Sequence, residues 1–74
     1  MRVRTVRELG ASVRVQRESL GLSQQALADR AGVTREWVVR FENGKVSVPL
    51  NLVFDVLTAL NLTIDLGEKV TSGE

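Results

Sequence analysis

The spacing of seven small or apolar residues between positions 24 and 41 constrains this chain more than any other feature. Counted from Gln24 as the first position, the fifth residue is Ala28 and the ninth is Gly32. A small fifth residue lets a second helix pass close by, and glycine at the ninth allows the positive φ of a tight turn. The remaining five positions, the fourth, eighth, tenth, fifteenth and eighteenth, hold Leu27, Ala31, Val33, Val38 and Phe41. The pattern predicts two short helices packed against each other across a turn.

Capping residues mark the ends of these two helices. Ser23 is a good N-cap for the first, and Thr34 for the second. Gly44 is placed to end the second helix at its C′ position. Residues 23–43 are therefore predicted to form a helix-turn-helix unit.

One further helix is predicted on each side of this unit. Thr5, with Glu8 three residues later, has the form of a capping box that opens a helix ending before Gly21. Pro49 suits the first position of a last helix that stops near Asn61. The apolar residues of this last helix cover nearly its whole circumference, which predicts burial on more than one side. In so small a domain, we expect the second cover to come from another chain.

The segment 62–66 alternates between apolar and polar residues, which is the pattern of a strand. A lone strand cannot satisfy its own backbone hydrogen bonds, so we expect it to pair with a second chain. The prediction is an all-α domain of four to five helices with a short C-terminal β-strand that pairs across a dimer. The dimerisation helix and strand span about 49–67, and the tail that follows is expected to fray. The predicted dimer contacts are Leu52, Val56, Leu62, Ile64 and Leu66.

Composition excludes most enzyme chemistry. The 74 residues hold no cysteine and no histidine, which removes disulfides, Cys/His zinc sites and histidine acid–base catalysis. No glycine-rich phosphate loop is present, so we expect neither an enzyme, a cofactor nor a bound metal. No segment approaches the roughly 18 apolar residues of a membrane span. We expect one soluble domain over 1–74 that does not bind membranes.

Charge is divided unevenly along the chain. Residues 1–45 hold nine basic and five acidic groups, a balance of +4, whereas residues 46–74 hold one basic and four acidic groups, a balance of −3. A basic first part suits a polyanion, and an acidic second part suits contacts with protein.

The stretch "LGLSQQALADRAGVTREWVVRFENGK" resembles the Xre, or lambda-repressor-like, helix-turn-helix family, and the resemblance extends from about Leu9 to Leu60. It implies that the helix beginning at Thr34 lies in the major groove of double-stranded DNA. The last helix, followed at once by "LNLTIDL", looks most like the HipB-type antitoxins, in which the C-terminal strands of two chains pair. That likeness implies an antitoxin that represses its own operon and binds a HipA-like kinase toxin. The homodimer expected from the last helix and the strand has two-fold symmetry, which calls for a palindromic operator.

A helical wheel of the third helix gives candidates for contacts with base edges. Arg35, Glu36 and Arg40 lie away from the core side. An arginine can bond guanine O6 and N7 together, and a glutamate can accept from cytosine N4. The alternative is a solvated face on which Glu36 and Arg40, four residues apart, form an ion pair.

Trp37 and Val39 lie on the two flanks of that face and are possible further DNA contacts. Trp37 is the only tryptophan. Its ring is expected either to lie at the edge of the core, against the first turn of a neighbouring helix, or to reach a phosphate or a thymine methyl.

The family resemblance implies roles for six more residues. Arg17 and Glu42 are expected to form a structural pair. Backbone phosphates are expected to meet Gln24, Thr34, Asn43 and Lys45. Helix termination is the alternative role for Asn43 and Lys45.

Two other functions stay open at this stage. One is a protein-interaction module that neutralises a partner protein with little DNA specificity. The other is a stand-alone phage or bacterial Xre regulator. For each we expect a bacterial cytoplasmic protein, associated with the nucleoid when it is bound to an operator.

Overall fold

The computed structural model describes residues 2–45 and 47–68, which form four helices. These are α1 (Val6–Ser19), α2 (Gln24–Ala31), α3 (Arg35–Glu42) and α4 (Leu50–Ala59). The all-α fold predicted from the sequence is confirmed, and the four helices of the described residues lie within the predicted range of four to five. The tail that is expected to fray falls largely on residues 69–74, which lie outside the described residues.

Side-chain caps start the first three helices as predicted. The Glu8 N–H donates to the Thr5 hydroxyl oxygen at 3.0 Å, and the Thr5 N–H donates to the Glu8 carboxylate at 3.1 Å, which completes the capping box. Ser23 and Thr34 each accept a hydrogen bond from a backbone N–H three residues later. Pro49 stands one residue before α4, at its N-cap instead of at its first helical position.

The turn between α2 and α3 requires a left-handed residue, and Gly32 supplies it with a φ of 72°. The Val33 N–H then donates back to the Ala28 carbonyl at 3.0 Å, which closes the end of α2. The two helices of the motif therefore pack against each other as the sequence spacing predicts.

The core lies among all four helices, with α2 packed on both α3 and α4 and α1 packed on α3. Four of the seven patterned residues, Leu27, Ala28, Val38 and Phe41, have no exposed surface, and Ala31 and Val33 are half-buried. The other buried apolar residues are Val13, Val53, Val56, Leu57 and Leu60. Burial of these side chains is the main force that holds so short a chain together.

Gly10 lies where the backbones of α1 and α3 approach closely. A Cβ at this position would clash with the Phe41 carbonyl oxygen and would lie 3.2 Å from the Glu42 Cα. Glycine in a helix interior costs roughly 1 kcal/mol relative to alanine. The fold accepts that cost because no side chain fits between the two backbones.

In the single chain, helix α4 is only partly covered, and the sequence predicts that a second chain covers the rest. Val56, predicted among the dimer contacts, has no exposed surface, because it fills the core of its own subunit beside Val53. The dimer assignment of Val56 is therefore corrected. Leu50, in the first turn of α4, is 63% exposed, and Phe54 is 48% exposed.

The strand predicted after α4 is not formed in the single chain. Residues 62–68 have no regular secondary structure, although Leu62 packs against the core. Ile64 and Leu66 are 42% and 96% exposed. A strand needs a neighbour for its hydrogen bonds, and the described residues of one chain provide none.

Candidate nucleic-acid interface

The outer face of α3 carries the three residues proposed for base contacts, and all three are exposed. Arg35, Glu36 and Arg40 project away from the side on which Val38 and Phe41 are buried. Within residues 2–45 and 47–68, no ion pair joins Glu36 to Arg40; the side-chain ion pairs there involve Arg14 with Glu18 and Arg17 with Glu42. The ion pair that the alternative includes is therefore not formed in the described residues. The three side chains have their charged groups available to a ligand.

Trp37, in α3, is half-buried at the edge of the core. Its ring stacks on that of Phe41, one turn later, with centroids 4.9 Å apart and an interplanar angle of 29°. The sequence predicts a neighbouring helix as the surface beneath this ring, whereas the stacking partner is in α3 itself. Since Phe41 is fully buried, the stack fixes one face of the indole against the core. Val39, on the other flank, is also half-buried.

A buried ion pair ties α3 to α1, as the family resemblance implies. Arg17 donates from Nε to Glu42 Oε2 at 2.6 Å and from Nη2 to Oε1 at 3.0 Å. Its Nη1 donates to the Leu22 carbonyl at 2.8 Å. The hydrogen bond to Glu42 raises the pKa of Arg17 above its ordinary value, so the guanidinium stays charged. The pair holds the C-terminal end of α3 in a fixed position.

Gln24, the first residue of α2, takes part in the same network. Its Nε2 donates to Glu42 Oε1 at 3.2 Å. The family resemblance predicts that this amide meets a phosphate, and in the free chain it meets a carboxylate instead. Gln24 and Glu42 are 18 residues apart, so no local pattern in the sequence predicts this contact. Glu42 therefore connects α1, α2 and α3 through one side chain.

The other proposed backbone contacts lie at the two ends of α3. At its start, the Thr34 hydroxyl oxygen accepts the Trp37 N–H at 3.1 Å. At its end, Asn43 is the C-cap, and the Lys45 N–H donates to the Arg40 carbonyl at 3.0 Å. The backbones of Asn43 and Lys45 terminate the helix while both side chains remain exposed. Helix termination and phosphate contact are thus compatible at these positions.

Within the described ranges, no cluster of three or more metal-binding side chains is found. The same part of the chain contains no helix that is both long and apolar enough to cross a membrane.

Comparison with known proteins places this geometry in a family. Residues 8–68 match the family model described as a helix-turn-helix domain. An HTH-type transcriptional regulator of Sinorhizobium fredii, y4mF, is 37% identical over 65 residues, which cover 88% of this chain and 86% of the relative. The chain belongs to the Xre-type helix-turn-helix family. It is a transcriptional regulator of the DNA-binding, helix-turn-helix kind.

Solved structures share the fold over most of its length. The restriction-modification controller protein C.AhdI from Aeromonas hydrophila is 33% identical, with a TM-score of 0.74 over 78% of this chain and 84% of that one. A chain in a HipA-HipB-O2-O3 complex is 23% identical, with a TM-score of 0.85 over 95% of this chain and 99% of that one. The second likeness shows the fold alone, and it covers more of this chain than the first.

Proposed function

We propose that this regulator is a homodimeric, sequence-specific repressor that binds a palindromic operator in double-stranded DNA. The observation that carries the proposal is the exposed outer face of α3, where Arg35, Glu36 and Arg40 are free of one another. Two-fold symmetry of the protein calls for two half-sites about one helical turn, roughly 34 Å, apart.

Base recognition is assigned to the three charged residues of this face. Arg35 and Arg40 each suit a guanine, and Glu36 suits a cytosine, because a carboxylate accepts from its N4 amino group. Each well-placed pair discriminates against the wrong base by about 1–3 kcal/mol. Val39 and the exposed edge of Trp37 flank these contacts and are suited to a thymine methyl.

Contacts with the DNA backbone are assigned to both ends of the motif. Thr34, Asn43 and Lys45 lie at the start and end of α3, where it enters and leaves the groove. Gln24 contributes through the N-terminal end of α2 and, after its amide leaves Glu42, through its side chain. These contacts fix the register of α3 without selecting a sequence.

Dimerisation is assigned to α4 and the segment that follows it. Leu52 is half-buried, and Leu62 rests on the core while Ile64 and Leu66 face outward. A second chain would cover this surface and would supply the strand partner that residues 62–66 lack.

The proposed biological role is that of an antitoxin that represses its own operon and binds a HipA-like kinase toxin. Likeness of fold to a chain of the HipA-HipB-O2-O3 complex supports this role. The net charge of −3 over residues 46–74 is compatible with a protein partner on that side. We expect the protein to act in the bacterial cytoplasm, at the nucleoid when it is bound to its operator.

Selection of bound sites from a pool of random duplex DNA tests the DNA-binding part of the proposal. The expected result is enrichment of a palindrome with half-site centres about 10 base pairs apart. Enrichment of no sequence would favour the alternative of a protein-interaction module. Co-purification with the product of an adjacent toxin gene tests the antitoxin role, and absence of such a gene would favour a stand-alone regulator.

A further inference from the structure

Arg7, in the first turn of α1, lies against the turn that ends α3. Gly44, with a φ of 69°, leads out of α3 there. A Cβ on Gly44 would lie 3.0 Å from the Arg7 Cα, 3.1 Å from its Cβ and 3.3 Å from its Cγ. The stem of Arg7 therefore runs beside the backbone that carries Lys45, the next residue. Arg7 and Lys45 are both exposed, and they are neighbours through the backbone of Gly44.

The nearby carboxylates form their hydrogen bonds with other groups and make no ion pair with these cations. Glu8 Oε1 accepts the Arg4 and Thr5 N–H groups at 2.6 and 3.1 Å. Glu42 is buried and bonded to Arg17. Within residues 2–45 and 47–68, neither Arg7 nor Lys45 forms an ion pair with a carboxylate.

The position of Arg7 is not explained by the stability of its own helix. A cation in the first turn opposes the helix dipole, which typically costs about 0.3–1 kcal/mol at an exposed site. The end of α3 offers a partly compensating negative dipole. Arg7 could therefore serve the fold by this compensation instead of binding a ligand. A measurement of folding stability distinguishes these two roles.

We propose that Arg7 binds a phosphate of the DNA backbone, next to the phosphate that is assigned to Lys45. The inference rests on the proposed function, in which α3 lies in the major groove. In that arrangement, we expect the end of α3 at Gly44, with Arg7 and Lys45 beside it, to lie next to a sugar–phosphate backbone. The arginine fork can bond two phosphate oxygens at once, while the lysine acts as a point charge.

The test measures how the affinity for mixed-sequence duplex DNA depends on salt, so no operator is needed. For each phosphate that the protein no longer neutralises, the slope of log K against log salt concentration is expected to become about 0.9 less steep. We expect that change for each subunit of Arg7→Gln and a slope close to that of the unsubstituted protein for Arg7→Lys. Arg30→Gln is the charge-matched control, because Arg30 is exposed but lies in the last turn of α2, away from Gly44.

Unfolding midpoints of the same variants show whether Arg7 acts through stability. The proposal expects Arg7→Gln to unfold at nearly the same temperature as the unsubstituted protein. An unchanged salt slope in Arg7→Gln, or an equal change in Arg30→Gln, would overturn the site while leaving the proposed function standing. A failure of the unsubstituted protein to bind duplex DNA would overturn both.

Discussion

Arg17 and Glu42 meet side by side, with two hydrogen bonds of 2.6 and 3.0 Å joining α1 to the last residue of α3. Their side chains are only 10% and 2% exposed. Gln24 bonds the same carboxylate, so three helices depend on one acidic group for their relative positions. These hydrogen bonds of Glu42 fix the orientation of α3. A fixed orientation is required if the outer face of α3 is to recognise bases.

Removal of one partner of this pair should be far more damaging than removal of both. Glu42→Ala leaves the Arg17 charge buried and unpaired, which typically costs about 3–5 kcal/mol of folding free energy, whereas apolar replacement of a whole pair is often neutral. We expect the double variant Arg17→Met with Glu42→Leu to unfold at a higher urea concentration than Glu42→Ala. A single variant as stable as the unsubstituted protein would contradict the structural importance of the pair.

Near neutral pH, the folding stability should not depend on pH through the protonation of Arg17. Because the pKa of Arg17 is raised on folding, its contribution is fully present below the ordinary arginine pKa. The contribution is lost only as the pH rises through the raised value.

Gly10→Ala should destabilise the fold, although helix propensity alone predicts a gain of roughly 1 kcal/mol. The added methyl group would meet the Phe41 carbonyl oxygen, and a forced shift in a packed region typically costs about 1–3 kcal/mol. Urea unfolding measures the net effect. A rise in stability would show that α1 and α3 do not approach as closely as the structure indicates.

Arg40→Ala should weaken binding to a selected operator far more than binding to random DNA. If Arg40 bonds a guanine, its replacement removes about 1–3 kcal/mol of base discrimination, and non-specific binding changes only through one charge. Titration of both DNAs at the same salt concentration gives the ratio. Equal reductions in affinity for the two DNAs would reassign Arg40 to a phosphate contact.

Leu66→Asp should weaken the dimer, because Leu66 is 96% exposed in the single chain and is assigned to the interface. Thr63→Asp is the matched control: it adds the same charge on the opposite face of the predicted strand. Sedimentation at several micromolar concentrations should show more monomer for Leu66→Asp than for Thr63→Asp. A stable monomer of the unsubstituted protein at these concentrations would refute the dimer.

The sequence by itself determined the helices, their caps and the motif. These features are local. A serine or threonine cap accepts a hydrogen bond from an N–H only three residues away. A turn that needs a left-handed residue favours a glycine such as Gly32, however the two helices are packed. Helical periodicity likewise separated buried Val38 from exposed Arg40. The sequence thus predicted the all-α fold and the outer face of α3.

Only the tertiary structure decided which residues that are far apart in the sequence lie in contact. The approach of Gly10 to Phe41, the bond from Gln24 to Glu42 and the position of Arg7 beside Gly44 depend on the angles between helices. Those angles are set by the packing of the whole core, which a local pattern does not specify. For the same reason the apolar residues of α4 could not be divided in advance between the subunit's own core and a surface open to a second chain.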